Sequence, residues 1–65
     1  MQIMIIRNSR KKKYDVDSRR FGDILVEIGL NSEEFLGIKN GSLIIEDELI
    51  KEGDTIKLLD VVSGG

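Results

Sequence analysis

The sequence predicts a small α+β domain in which a single helix packs across a β-sheet. Three observations support this: residues 1–16 alternate with a period of two, residues 21–28 carry an apolar stripe with helical spacing, and Asn40-Gly41 separates two short apolar runs. Because strands precede and follow one helix instead of alternating with several, the pattern favours an α+β fold over a parallel sheet. The predicted order is ββαβββ, with a mixed sheet of four to five strands.

The composition restricts the function classes that need to be considered. The chain has 65 residues and neither cysteine nor histidine, so we expect one domain without disulfides, zinc sites, cysteine nucleophiles or histidine-based triads. No stretch of about 18 apolar residues is present, so a membrane span is not expected. We therefore expect a cytoplasmic protein that binds no metal ion and no membrane.

The first strand and its return form a predicted hairpin. Ile3 and Ile5 alternate with more polar neighbours, the stretch around Asn8 is typical of a turn, and Tyr14 and Val16 resume the alternation on one side. No Asn-Gly pair marks this turn, so its bounds are left open.

The helix is predicted from its caps and its apolar stripe. Ser18 or Asp17 is expected to cap a helix of about twelve residues, and Gly29 to end it. Residues spaced at i, i+3, i+4 and i+7 predict one buried face, which consists of Phe21, Ile24, Leu25 and Ile28. This spacing is more typical of a core than of a binding site.

The second half is predicted to contain three short strands. Residues 35–39 and 43–45 flank Asn40-Gly41, which is a strong type I′ hairpin signal. Residues 46–51 are expected to make one helical turn that places Leu49 or Ile50 on the core. A tight turn at residues 52–54 then leads to a last strand over residues 55–62.

A sheet covered by one helix has one buried face and one open face. Ile56 and Leu58 fit the buried face of the last strand, whereas Lys57, Leu59 and Val61 fit the open one. We predict that an exposed apolar patch binds a partner. It consists of Met4, Ile6, Leu59 and Val61, and Ser63 of the tail is expected to contact the same partner. A contiguous apolar patch is more typical of a docking site than scattered apolar residues are.

The charge is unevenly distributed along the chain. Residues 1–20 hold seven basic and two acidic residues, whereas residues 21–65 hold three basic and ten acidic ones. Nucleic-acid binding through residues 10–13 is one interpretation, but the acidic remainder and the lack of interleaved aromatic residues disfavour it. A solvated, lysine-rich hairpin is the interpretation that we favour, and we expect a monomer that binds no nucleic acid.

Gly64 and Gly65 follow the last predicted strand. Glycine has no Cβ and lets another surface approach the backbone closely, so a Gly-Gly tail suits entry into another protein's active site. We therefore predict that the chemistry takes place at the Gly65 carboxylate, with Gly64 giving access. The alternative is that small residues at a chain end have no function.

The chain resembles the ThiS/MoaD family of ubiquitin-like β-grasp sulfur carriers over essentially its whole length. The resemblance rests on the element order, on Lys39-Asn40-Gly41, on the Glu-Leu-Ile-Lys-Glu-Gly-Asp segment at residues 48–54, and on the ending Val-Val-Ser-Gly-Gly. It implies a β-grasp domain over residues 1–62 and a flexible tail over residues 63–65. The short length is similar to ThiS, and the absence of proline departs from MoaD-like proteins.

The resemblance also implies a mechanism in which this chain is a carrier and not an enzyme. An E1-like enzyme would use ATP to adenylate Gly65, and a sulfur donor would convert the adenylate to a thiocarboxylate. The implied acceptor is a second enzyme such as thiazole synthase of thiamine biosynthesis or the large subunit of molybdopterin synthase. The alternatives are a MoaD-like subunit, a small archaeal modifier or tRNA-thiolation carrier, and a non-catalytic β-grasp interaction module.

Overall fold

The computed structural model describes residues 1–61 as five strands, one α-helix and one 3-10 helix. The strands are β1 (Gln2–Arg7), β2 (Arg10–Asp15), β3 (Phe35–Lys39), β4 (Ser42–Ile44) and β5 (Thr55–Asp60). The α-helix α1 is Phe21–Glu27, and the 3-10 helix is Ser32–Glu34. The predicted order ββαβββ is confirmed. Residue 62, the predicted end of the last strand, and residues 63–65, the predicted tail, lie outside the described residues.

All five strands form one mixed sheet. Their order across the sheet is β2-β1-β5-β3-β4, so the last strand lies in the centre. β5 runs parallel to β1 and antiparallel to β3, while β1–β2 and β3–β4 are antiparallel hairpins. The arrangement confirms the α+β class, and it places the end of β5 beside the end of β1.

Both hairpins turn through two residues with positive φ. Asn40 and Gly41 have φ angles of 54° and 79°, which confirms the predicted type I′ turn. In the first hairpin the same positions are held by Asn8 and Ser9, with φ angles of 52° and 63°. Ser9 occupies the left-handed backbone region, which costs most non-glycine residues about 1–2 kcal/mol. Serine is therefore not typical of this position, and the turn could not be recognised from the sequence.

Helix α1 begins later than expected because Arg20 is extended and forms an antiparallel bridge with Leu49. The N–H of Phe21 donates to the carbonyl of Glu48 at 2.8 Å, and that of Gly22 donates to Glu46 at 2.9 Å. Arg20, at the N-cap position, has extended backbone and makes no side-chain capping bond. The backbone carbonyl groups of the segment after β4 therefore accept the hydrogen bonds that a capping side chain would otherwise accept.

The prediction that Ser18 or Asp17 caps the helix is wrong. Their N–H groups instead donate to the two carboxylate oxygens of Glu27, each at 2.9 Å, at the other end of the helix. These bonds to the ionised form lower the pKa of Glu27 from its ordinary value. Glu27 thus attaches the segment before α1 to the last turn of the helix.

The predicted end of the helix is confirmed. Gly29 has a φ of 86° and donates to Val26 at 3.0 Å, while Leu30 donates to Leu25 at 2.7 Å. These two bonds define a Schellman motif, in which glycine supplies the left-handed residue without a Cβ penalty.

The predicted helical turn over residues 46–51 is wrong. The chain makes an isolated turn, in which Glu48 N–H donates to Ile45 at 3.1 Å, and then an antiparallel bridge between Arg20 and Leu49. The bridge holds this segment extended against the start of α1, so it cannot coil. Ile50 is buried and Leu49 is 64% exposed, which settles which of the two reaches the core.

The core lies between the helix and one face of the sheet. Its buried residues are Ile3, Ile5, Val16, Phe21, Ile24, Leu25, Phe35, Ile50, Ile56 and Leu58. The helical stripe and the alternating positions of β1 and β5 therefore occupy the predicted places, with Ile28 packed at the margin. Within residues 1–61, no helix is long and apolar enough to cross a membrane.

Candidate functional site

The face of the sheet that the helix leaves uncovered is an apolar surface, which we call the open face. Side chains alternate across each strand, so residues paired in register project from the same side of the sheet. One row crosses all five strands in spatial order, through Lys11, Ile6, Lys57, Ile38 and Leu43. The open face therefore combines apolar side chains with lysines.

The predicted open-face residues lie where the strand phase placed them. Met4 and Ile6 are partly buried on β1, beside Thr55 and Lys57 of β5. Leu59 is 39% exposed on β5, on the side opposite the buried Leu58. The structure therefore groups Met4, Ile6 and Leu59 on neighbouring central strands, and their role in binding a partner stays a prediction.

Val61 lies beyond the last strand and not within it. β5 ends at Asp60, because Asp60 pairs with Phe35, the first residue of β3, and the 3-10 helix precedes that residue. Val61 N–H donates to the carbonyl of Glu34 at 2.8 Å, and its side chain is 42% exposed. Ser63, Gly64 and Gly65, the other predicted site residues, lie outside the described residues.

The structure adds two leucines that the sequence prediction missed. Leu36 pairs directly with Leu59 and is 47% exposed, and Leu43 pairs with Ile38 and is 68% exposed. The signal was present in the sequence, since a type I′ turn at Asn40 fixes the pairing of the flanking strands. Applying the two-residue alternation to that hairpin places Leu36 and Leu43 on the same face.

The composition of the open face is typical of a docking surface. Exposed apolar side chains have a lower free energy when a partner covers them than when water surrounds them. The neighbouring lysines favour a partner with acidic residues around its contact surface. Among residues 1–61 no group of three or more histidine, cysteine, aspartate or glutamate side chains is placed to hold a metal ion.

The comparisons with known proteins give a sulfur carrier protein as a sequence relative and ubiquitin-like folds as structural neighbours. The chain is 29% identical over 63 residues to the sulfur carrier protein TtuB of Thermus thermophilus, a match that covers 95% of this chain and 97% of that protein. No family model matches the sequence.

Two solved structures share the fold over nearly the whole chain. The crystal structure of SAMP1 from Haloferax volcanii superposes with a TM-score of 0.70 at 21% identity, and each chain is covered completely. A ubiquitin-like protein from Trypanosoma brucei has a TM-score of 0.65 at 16% identity, with 94% of each chain covered. These neighbours confirm the ubiquitin-like β-grasp fold.

Proposed function

We propose that this chain, which has the ubiquitin-like β-grasp fold, is a sulfur carrier of the ThiS/MoaD type and carries sulfur on the carboxyl group of Gly65. The observation that supports this most is the match to a sulfur carrier over 95% of the chain. The position of β5 is consistent with it, since the strand that leads towards Gly64 and Gly65 is central and flanked by the open face. The proposal requires that Gly65 have a free carboxylate.

The proposed chemistry begins with activation of that carboxylate. A terminal carboxyl group has a pKa of about 3.5 and is ionised at neutral pH, so it is a poor electrophile. One carboxylate oxygen attacks the α-phosphorus of ATP in an E1-like enzyme, which releases pyrophosphate and leaves an acyl-adenylate at Gly65. Hydrosulfide then attacks the acyl carbon, the bond to the adenylate oxygen breaks and AMP leaves, and loss of the remaining proton gives a thiocarboxylate at Gly65.

In this proposal the chain acts as a co-substrate and holds no cofactor of its own. ATP is consumed by the activating enzyme, and the sulfur passes to a second enzyme. The open face supplies the docking energy that keeps the tail at the ATP site, which raises the effective concentration of the carboxylate there. Met4, Ile6 and Leu59 are the residues proposed for that contact, together with Val61 and Ser63 next to it.

The acceptor that we propose first is the thiazole synthase of thiamine biosynthesis, as for a ThiS-like carrier. A MoaD-like role with the large subunit of molybdopterin synthase, and a role as a small modifier or tRNA-thiolation carrier, share the activation step and differ in the acceptor. A non-catalytic interaction module would share only the fold and the open face.

The experiment that tests the proposal is an intact-mass measurement after incubation with an E1-like enzyme, ATP and sulfide. We expect the mass to rise by the difference between one sulfur and one oxygen atom, and no change when ATP is omitted. Removing Gly65, or adding one residue after it, should abolish the gain while the fold is kept. A variant without Gly65 that still gains sulfur would contradict the proposal.

The thiocarboxylate form then identifies the acceptor. It should be incubated separately with thiazole synthase, with the molybdopterin synthase large subunit and with tRNA plus its thiolating enzyme. Transfer in the first mixture supports the ThiS-like assignment, and transfer only in another one replaces it. High-molecular-weight conjugates without sulfur transfer would indicate a modifier.

A further inference from the structure

A second surface lies on the helix side of the sheet, at the turn end of the β1–β2 hairpin. It is an open pocket of about 450 Å³. Its lining residues are Ile5, Arg7, Asn8, Arg10, Lys12, Tyr14 and Leu30. Three of these seven side chains are cationic, three are apolar or aromatic and one is a neutral amide, so the pocket combines positive charge with an apolar wall.

The arrangement of the cations in this pocket destabilises the β1–β2 hairpin. Arg7 and Arg10 are direct partners across the two strands, and like charges in that relation destabilise a hairpin. Among the described contacts, the acid nearest to them is Asp60, whose Oδ1 lies 3.7 Å from Nε of Arg7. A like-charged pair with so little compensation is expected where an anionic ligand supplies the missing charge.

Aromatic rings hold two of the cations in place. The guanidinium of Arg7 lies 4.7 Å from the centre of the Phe35 ring, and the ammonium of Lys12 lies 5.2 Å from that of Tyr14. Cation–π contacts of this kind are worth about 0.5–1 kcal/mol at exposed sites, and they limit the loss of side-chain entropy on binding. The positive charge of the pocket is therefore partly preorganised.

The pocket and the open face can be occupied at the same time. Along β2 the side chains of Arg10 and Lys12 share the phase of Tyr14, whereas Lys11 and Lys13 pair with Ile6 and Met4 of the open face. A partner docked on the open face thus cannot neutralise the pocket cations.

We propose that this pocket binds a short acidic segment of a partner protein, with carboxylates on Arg7, Arg10 and Lys12 and one large apolar side chain on Tyr14 and Leu30. A nucleic acid is disfavoured because residues 21–65 carry a net charge of −7 and would repel a phosphate chain leaving the pocket. A compact segment with a few carboxylates ends within the pocket and therefore avoids most of this repulsion.

The pocket lies close to the end of β5. Asp60, the last residue of β5, touches Arg7 at its edge, so a segment bound there lies beside the point where β5 ends. A partner that contacts both the open face and this pocket would bind both faces of the sheet close to the end of β5. The inference concerns binding alone and does not depend on sulfur chemistry.

The test is a titration of the unactivated protein with a labelled peptide of Asp and Glu residues around one central Phe. We expect amide shifts at Arg7, Arg10, Lys12, Tyr14 and Leu30 in an NMR spectrum. Reversing two pocket charges (Arg10→Glu with Lys12→Glu) should weaken binding at least about ten-fold, because rim charges act through complementarity. The matched control (Lys11→Glu with Lys13→Glu) changes the net charge equally on the other face and should weaken binding less than about three-fold.

Three outcomes would overturn the inference. One is an equal loss in both double variants, which would indicate general charge attraction; another is tighter binding of a single-stranded oligothymidine than of the peptide. The third concerns stability: Arg10→Glu alone should leave the protein at least as stable as the wild type, because Arg7 gains an opposite charge as its cross-strand partner. A less stable variant would mean that Arg10 serves the fold and is not reserved for a ligand.

Discussion

The ammonium group of Lys39 lies 2.9 Å from Oε2 of Glu48, and this contact ties the end of β3 to the segment that crosses the start of the helix. Asp54 lies 3.8 Å away on the same side, and the Lys39 side chain is only 15% exposed. The hydrogen bond to Glu48 is the main cause of a raised pKa for Lys39, and the charges of Glu48 and Asp54 add to it.

We predict that Lys39→Met lowers the thermal stability at neutral pH more than Lys57→Met, which changes an exposed lysine on the neighbouring strand. Because the folded-state pKa is raised, the contribution is complete below the ordinary value of 10.5 and is lost as pH rises through the higher folded value. Melting curves of wild type and Lys39→Met should therefore converge above that pH. Equal losses in both variants at neutral pH would show that the contact with Glu48 contributes nothing specific.

A second prediction concerns the acid side and rests on Glu27. Its pKa is lowered by the N–H groups of Asp17 and Ser18, so its contribution is present above the ordinary value of 4.5 and is lost as pH falls through the lower folded value. Glu27→Gln should reduce stability at pH 7 and approach wild type in acid. Glu33→Gln, in the exposed 3-10 helix, is the control and should have little effect at either pH.

The element order and the core could be predicted because they depend on local periodicity. The helical spacing of Phe21, Ile24 and Leu25 and the alternation of Ile56 and Leu58 each occur within a few residues, and each determines which side faces the core. The open-face position of Leu59 followed from the same alternation.

The start of the helix and the pocket could not be predicted because both depend on distant parts of the chain. The N–H of Phe21 bonds to Glu48, whose place near the helix is determined by tertiary packing, and a capping side chain was not needed. The pocket is lined by residues of the hairpin together with Leu30, which is distant in the chain, so the residues around Arg10 appeared in the sequence only as a basic run. The chemistry expected at Gly65 stays a prediction.

A third prediction concerns Gly37, which lies against the first helical side chain. A Cβ added at Gly37 would overlap two ring carbons of Phe21 and would lie 3.0 Å from Cγ1 of Ile44. Gly37→Ala should therefore cost about 1–3 kcal/mol of unfolding free energy, as overpacking does in other cores. Ser42→Ala, on the exposed edge strand, should change it by less than about 0.5 kcal/mol.

Chemical denaturation can separate this clash from a general effect on the strand. If the ring of Phe21 is the cause, adding Phe21→Leu should make Gly37→Ala less costly than it is alone, because the smaller side chain leaves room for the methyl group. A Gly37→Ala protein as stable as the wild type would mean that the ring can move aside freely.

The last prediction tests the open face itself. Leu59→Glu should keep the fold, because the side chain is 39% exposed and lies opposite the core, and we expect a stability change below about 1 kcal/mol. In contrast, Leu25→Ala should cost about 2–5 kcal/mol by leaving a cavity in the core. If the open face docks on the activating enzyme, Leu59→Glu should weaken that complex by at least about ten-fold, because a carboxylate would be buried without a partner.

Val26→Glu is the matched control for this substitution. Val26 is also an exposed apolar residue, 71% accessible, but it lies on the helix and away from the open face. The two variants add the same charge, so binding measured by calorimetry should fall for Leu59→Glu and stay near wild type for Val26→Glu. If both bind equally well, the open face is not the docking surface, and if Leu59→Glu unfolds, Leu59 belongs to the core despite its exposure.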